Sequence, residues 1–111
     1  MPGKTSLLCE GAVIGSEKVN TELDTAGINI PGVKSLVATG RSQIATAQKY
    51  LALQDSDGAR AELSQFRKTV LQLRDAYRTL LVKEDLSHAT AQKVLTLAQS
   101  LDRVAVQIRF E

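Results

Sequence analysis

Between Asp55 and Val82 the apolar residues Ala59, Leu63, Phe66, Val70, Leu73, Tyr77 and Leu80 recur at intervals of 4, 3, 4, 3, 4 and 3. An α-helix turns that spacing into one continuous apolar stripe, whereas a strand needs apolar residues at every second position. No proline interrupts the stretch, and Gly58 falls at its start. The pattern predicts a long helix over about 55–82. Asp55 is its expected N-cap, and Asp57 stands in its first turn at the positive end of the helix dipole.

The same periodicity organises the rest of the chain. Leu8, Ala12, Gly15, Val19, Leu23 and Ala26 predict a first helix over about 5–26. Gly27 is placed to end it in a left-handed residue, with Ile28 folding back on Leu23. Val33, Val37, Gly40, Ile44, Ala47 and Leu51 predict a second helix over about 31–54, opened by Pro31. Gly40 lies on that seam, where it lets a neighbouring backbone come close. Val94, Leu97, Leu101, Val104 and Ile108, supported by Leu86, Leu95, Ala98 and Ala105, predict a fourth helix over about 86–110. Asp85 or Ser87 can cap it. The break at Lys83-Glu84-Asp85 has neither Gly nor Pro, so a single rod joining the third and fourth helices is the competing topology, one that needs a partner to bury its seam. Four helices with short connections read as an all-α, up-down-up-down four-helix bundle, a single domain over 1–111.

Composition agrees. Apolar residues make up 43% of the 111, and aromatics only 4%, so the core is built from Leu, Val, Ile and Ala. The net charge of +2 singles out no partner. The single cysteine, Cys9, rules out an internal disulfide. No stretch approaches the ~20 apolar residues of a membrane span, and Met1–Gly15 lacks the apolar run of a signal peptide. The chain as given reads as cytoplasmic; a signal removed upstream of Met1 would make it secreted or surface-bound.

Gly27-Ile28-Asn29-Ile30, Leu36, Ala47, Tyr50-Leu51, Asp55, Ala59-Arg60, Leu63 and Leu73 resemble helical-hairpin segments of uncharacterised archaeal proteins, many of them secreted or surface-associated. Those segments carry a G-I-N/D-V turn, a long helix, a G-D turn and A-R-E-L. The resemblance covers residues 20 to 81 and implies a helical hairpin with no assigned activity. Gln54 stands where those segments prefer Gly.

Several chemistries can be weighed and set aside. Glu84, Asp85 and His88 share a helical face, but a di-metal bundle site needs two Glu-x-x-His motifs and two further carboxylates, and His88 is the sole histidine. Asp55-x-Asp57-Gly58 opens like a calcium loop, yet Ala59, Arg60 and Phe66 occupy its fifth, sixth and twelfth positions. Cys9 has only His88 as a candidate base. Gly11 and Gly15 form a G-x-x-x-G in a run too short to span a membrane, and serve as a packing notch. No phosphate-binding loop, dinucleotide fingerprint, zinc quartet or nucleophile elbow occurs. The expectation is a protein that is not an enzyme and takes no cofactor or metal.

Two surface features point to partners. Arg60, Arg67 and Arg74 recur every seven residues beside the seam, with Lys68 and Arg78 nearby. Such a stripe either pairs with acids on neighbouring helices or binds an anionic partner, nucleic acid included. No aromatic interleaves with it to stack on bases. Leu36, Tyr50, Leu53, Leu71, Leu81 and Leu95 lie off the seams; they widen the stripes or, where exposed, mark an interface. The leading expectation is a bundle that self-associates or docks a helix face on a protein, with Leu71 and Leu95 as candidate contacts. The alternative is a nucleic-acid module using Arg60, Arg67, Arg74 and Arg78.

Overall fold

Each seam builds one helix in the computed structural model, which describes the backbone of residues 3–28 and 30–108 and the side chains of 9–28, 30 and 32–108. The helices are α1 (Gly3–Thr25), α2 (Pro31–Ala52), α3 (Ser56–Lys83) and α4 (His88–Gln107). No strand occurs among the described residues. α3 is ~42 Å long at 1.5 Å per residue, close to the 47 Å long axis of the molecule, so the helices lie side by side. α1 packs on α2 and α4, and α3 packs on α2 and α4.

Side chains fix the registers. Glu10, Glu17 and Asp24 of α1 meet Gln48, Arg41 and Lys34 of α2, so partner numbers fall as those of α1 rise. Gln43 accepts from Thr69 at 2.8 Å, while Tyr50 lies against Gly58, the same opposed sense between α2 and α3. Gly40 brings α2 close, as its place on the seam implies: a Cβ there would stand 3.3 Å from the Phe66 ring.

The ends of the helices follow from local chemistry. Gly27 has φ 81°, its N–H donates to Asp24 O, and the Ile28 N–H donates to Leu23 O. That is the double closure expected when a left-handed residue ends a helix. Asp55 caps α3 by accepting from the Gly58 N–H. Ser87, rather than Asp85, caps α4 by accepting from the Thr90 N–H. Glu84 is extended, so α3 and α4 are separate helices and the single rod does not form.

Most boundaries shift by one to three residues from the sequence reading, among them the end of α2 and both ends of α4. α2 stops at Ala52 rather than 54, because Gln54 adopts φ 59° and repeats the closure made by Gly27: the Gln54 N–H donates to Leu51 O and the Asp55 N–H to Tyr50 O. Without a glycine to announce it, that turn is hidden in the sequence. α4 begins at His88 rather than 86, after its cap, and gives way to extended backbone at Ile108. Positions 109 and 110 of the expected helix lie outside the described residues.

A left-handed conformation costs a residue with a Cβ ~1–2 kcal/mol, and glycine's freedom in the unfolded chain returns part of that. Gln54→Gly is therefore expected to stabilise the fold by about 1 kcal/mol, raising the melting temperature by roughly 4 °C. Thermal denaturation followed by circular dichroism checks this; an unchanged or lower midpoint would show that the Gln54 side chain offsets its backbone strain.

The buried stripe of α1 also departs from its apolar seam. Cys9, Ala12, Val13, Ser16, Asn20 and Leu23 face the core. Gly15 and Val19 are half-buried and Ala26 is exposed; the side chain of Leu8 lies outside the description. The true stripe is rotated by about 75° from the apolar one. Its polar members are satisfied: Ser16 Oγ donates to Ala12 O at 2.8 Å, and Asn20 Oδ1 accepts from the Tyr77 hydroxyl at 2.7 Å. This last bond crosses the bundle diagonally from α3 to α1.

Candidate interaction surface on helices α3 and α4

Arg60, Arg67, Arg74 and Arg78 fall within about 40° of one another around α3 at 100° per residue, on the flank that meets α4. They do not behave alike. Arg74 Nη1 and Arg78 Nη2 each donate to Asp102 of α4 at 2.6 Å, one to each carboxylate oxygen. Arg74 also holds Asp75 through Nε and Nη2, at 3.0 and 2.9 Å. The hydrogen bonds it donates to Asp102, then to Asp75, raise the Arg74 pKa, so it stays charged throughout. Two arginines are thereby matched by two acids. Arg60 and Arg67, nearer the start of α3, are exposed and carry no ion pair among the described residues.

The off-seam apolar residues divide in a similar way. Leu36, Tyr50, Leu71 and Leu81 are half-buried, and Leu36, Leu71 and Leu81 pack against the core, widening their stripes. Leu53 and Leu95 are exposed. The most exposed large apolar side chains on the α3/α4 pair are Val82 at 87% and Val106 at 67%, neither of which stands out in the sequence.

The shared Asp102 sets the α3/α4 register near positions 74–78 of α3. In that register Leu71 stands level with Val106, and Val82 with Leu95. The outer faces of the two helices then carry the same motif. Leu71, Asp75, Arg78 and Val82 are spaced 4, 3 and 4 on α3; Leu95, Gln99, Asp102 and Val106 are spaced 4, 3 and 4 on α4. Each is a second helical stripe with apolar ends and a polar middle, turned away from the core except at Leu71, which rests on the core's edge. Leu71 and Leu95 thus do not touch: they sit at opposite ends of this face, with the charged cluster between them. The sequence holds both halves of the motif, but only the pairing of the helices brings them level.

The reactive side chains lie apart. Burial, and then the neighbouring Glu10 carboxylate, push the Cys9 thiol up from 9.0 to about 11, the reverse of an activated nucleophile. His88 begins α4, whereas the α1/α4 contacts of Glu22 with Lys93 and of Gly15 with Leu97 place Cys9 alongside the far end of α4. Among the described residues no three His, Cys, Asp or Glu side chains converge to hold a metal ion. The glycine notch is one-sided: a Cβ on Gly15 would lie 3.5 Å from Leu97, but one on Gly11 would meet nothing within 4 Å. Among the described residues no helix is long and apolar enough to cross a membrane. Comparison with protein-family models, curated proteins and solved structures returned no match.

Proposed function

We propose that this chain is a non-catalytic protein-interaction module: an up-down-up-down bundle whose α3/α4 side docks on protein. The observation that carries this reading is the doubled stripe on α3 and α4. A helix needs one apolar face to fold into a bundle, and these two carry apolar residues on a second face as well. Val82 and Val106 contribute nothing to the core and, with Leu71 and Leu95, give this second face its apolar ends. The high pKa of Cys9 and its distance from His88 support a role without covalent chemistry.

The test is Val82→Lys/Val106→Lys, chosen because Leu71 packs partly on the core and its replacement would damage the fold. The double variant is expected to melt within about 1 °C of the parent, since exposed substitutions away from special features change stability little. Association of the parent, with itself by light scattering or with another protein by chemical cross-linking, is expected to be lost in the variant. A large fall in melting temperature would mean the two valines serve the fold. A parent that associates with nothing, or equally well after substitution, would remove the reading.

Nucleic acid is the second reading, favoured only by Arg60 and Arg67, the members of the arginine stripe without an acid among the described residues. It requires binding that weakens steeply with added salt and is lost in Arg60→Gln/Arg67→Gln. Absence of a mobility shift at low salt ends it.

A further inference from the structure

The doubled stripe has a symmetry that bears on its partner. Leu71 and Val82 are equidistant from the midpoint between Asp75 and Arg78, and Leu95 and Val106 are equidistant from the midpoint between Gln99 and Asp102. The α3/α4 register brings those two midpoints level. A two-fold axis lying across the seam at that height would reverse the face onto itself. It would set Leu71 against Val82 of a second copy and Val106 against Leu95. Asp75 would meet Arg78, and the Gln99 amide would meet the Asp102 carboxylate. Every apolar group finds an apolar one, Asp75 finds an opposite charge, and the Asp102 carboxylate finds an amide donor.

We infer that the face docks a second copy of the same chain, antiparallel, about a two-fold axis passing between Asp75 and Arg78. The inference rests on the reading of this face as a protein-docking surface. Charge complementarity supports it: the Asp75 and Arg78 side chains, held by Arg74 and Asp102, are still 65% and 54% exposed and present their charges on this face, and Arg74, Arg78, Asp75 and Asp102 together carry no net charge. A foreign partner would place no such requirement on the centre of the pattern. The face is small. Eleven residues of rise along two helices 8–10 Å apart give ~400 Å² per copy, at the low end of specific interfaces. The dimer is therefore reversible and populated at high protein concentration.

The experiment is sedimentation equilibrium from about 10 μM to about 1 mM, the range in which so small an interface dissociates. The parent chain, Asp75→Arg, Arg78→Asp, and an equimolar mixture of the two variants are compared. Thermal melts establish that each variant is folded. The parent is expected to pass reversibly from monomer to dimer. Asp75→Arg alone sets arginine against Arg78 twice, and Arg78→Asp alone sets aspartate against Asp75 twice; each is expected to weaken dimerisation at least about tenfold. In the mixture both contacts are complementary again, so a heterodimer of near-parental strength is expected. A parent that stays monomeric throughout overturns the inference; the docking reading then survives only if cross-linking to another protein is lost in Val82→Lys/Val106→Lys. A parental dimer indifferent to both single variants, or strengthened by Asp75→Arg, also overturns it, the latter because α3 would then lie over α4 of the second copy and its Asp102. A mixture no stronger than the single variants removes the antiparallel arrangement.

Discussion

Raising the pH from about 9 to about 12 is expected to unfold this protein, through two side chains that only the unfolded chain ionises easily. Tyr77 is fully buried, and burial lifts its phenol from 10.0 to about 12 against the smaller opposing pull of its hydrogen bonds to Ser16 and Asn20. Burial, aided by Glu10, lifts Cys9 from 9.0 to about 11. Both groups are neutral when protonated, and both folded values lie above the unfolded ones. Their stabilising contribution is therefore complete below the unfolded value and is lost as pH rises towards the folded one. The window is about pH 9–11 for Cys9 and about pH 10–12 for Tyr77. Two units correspond to about 3 kcal/mol for each group. Their combined loss is comparable with the whole ~5–15 kcal/mol stability of a small domain.

Chemical denaturation at a series of pH values checks this. Stability should fall steeply across that window, and Cys9→Ala should flatten the earlier part of the fall whatever it costs at neutral pH. Tyrosinate absorbance in Tyr50→Phe reports Tyr77 alone. Its appearance should coincide with loss of helical circular dichroism. Tyrosinate forming near pH 10 in a chain that is still folded would show that Tyr77 is not sealed in the core.

How far the sequence carries the structure differs from helix to helix. On α3 all seven seam residues, Ala59 to Leu80, are buried, and on α4 the five from Val94 to Ile108 are too. Both helices bury apolar residues at almost every core position, so apolar periodicity locates the core face directly. On α1 the same reasoning finds the wrong face. Two of its core positions are Ser16 and Asn20, which an apolar pattern skips, and it is drawn instead to Gly15 and Val19 on the flank towards α4. The information was present in a different form: a buried hydroxyl can be satisfied by the carbonyl one turn back, and a buried amide by a tyrosine on the opposite helix. Neither pairing shows in the spacing. The candidate site divides similarly. The arginine stripe is legible from the seven-residue repeat, but its division into matched and unmatched halves depends on Asp102, which joins it only through the packing of α4.

Replacing Tyr77 by Phe is expected to cost about 2 kcal/mol at neutral pH, a large loss for one oxygen atom. The ring would stay, and with it the apolar contacts of a residue at the centre of α3. What would go is the hydrogen bond to Asn20 Oδ1, at 2.7 Å, leaving that buried acceptor with no donor. The hydroxyl's other contact, to Ser16 O at 3.5 Å, is too long to matter much. Asn20→Leu is expected to be costly for the reciprocal reason, since it strands the hydroxyl. The double variant Tyr77→Phe/Asn20→Leu removes donor and acceptor together, and should be more stable than the sum of the single losses by about 1–2 kcal/mol. Urea denaturation of the four proteins closes the cycle. Strict additivity would mean that the two groups do not interact in solution and that water reaches at least one of them. A coupled result has a consequence for the fold itself. α1 and α3 are diagonal helices, and apolar side chains between them tolerate rotation and sliding. A tyrosine hydroxyl that must find one amide does not. The double variant should therefore recover part of the lost stability yet lose definition, with broader methyl resonances and faster amide exchange on α1 than on α3. In the parent chain this polar bond adds direction to the apolar contacts of Cys9, Ala12, Val13 and Leu23 that hold the rotated face of α1 against the core.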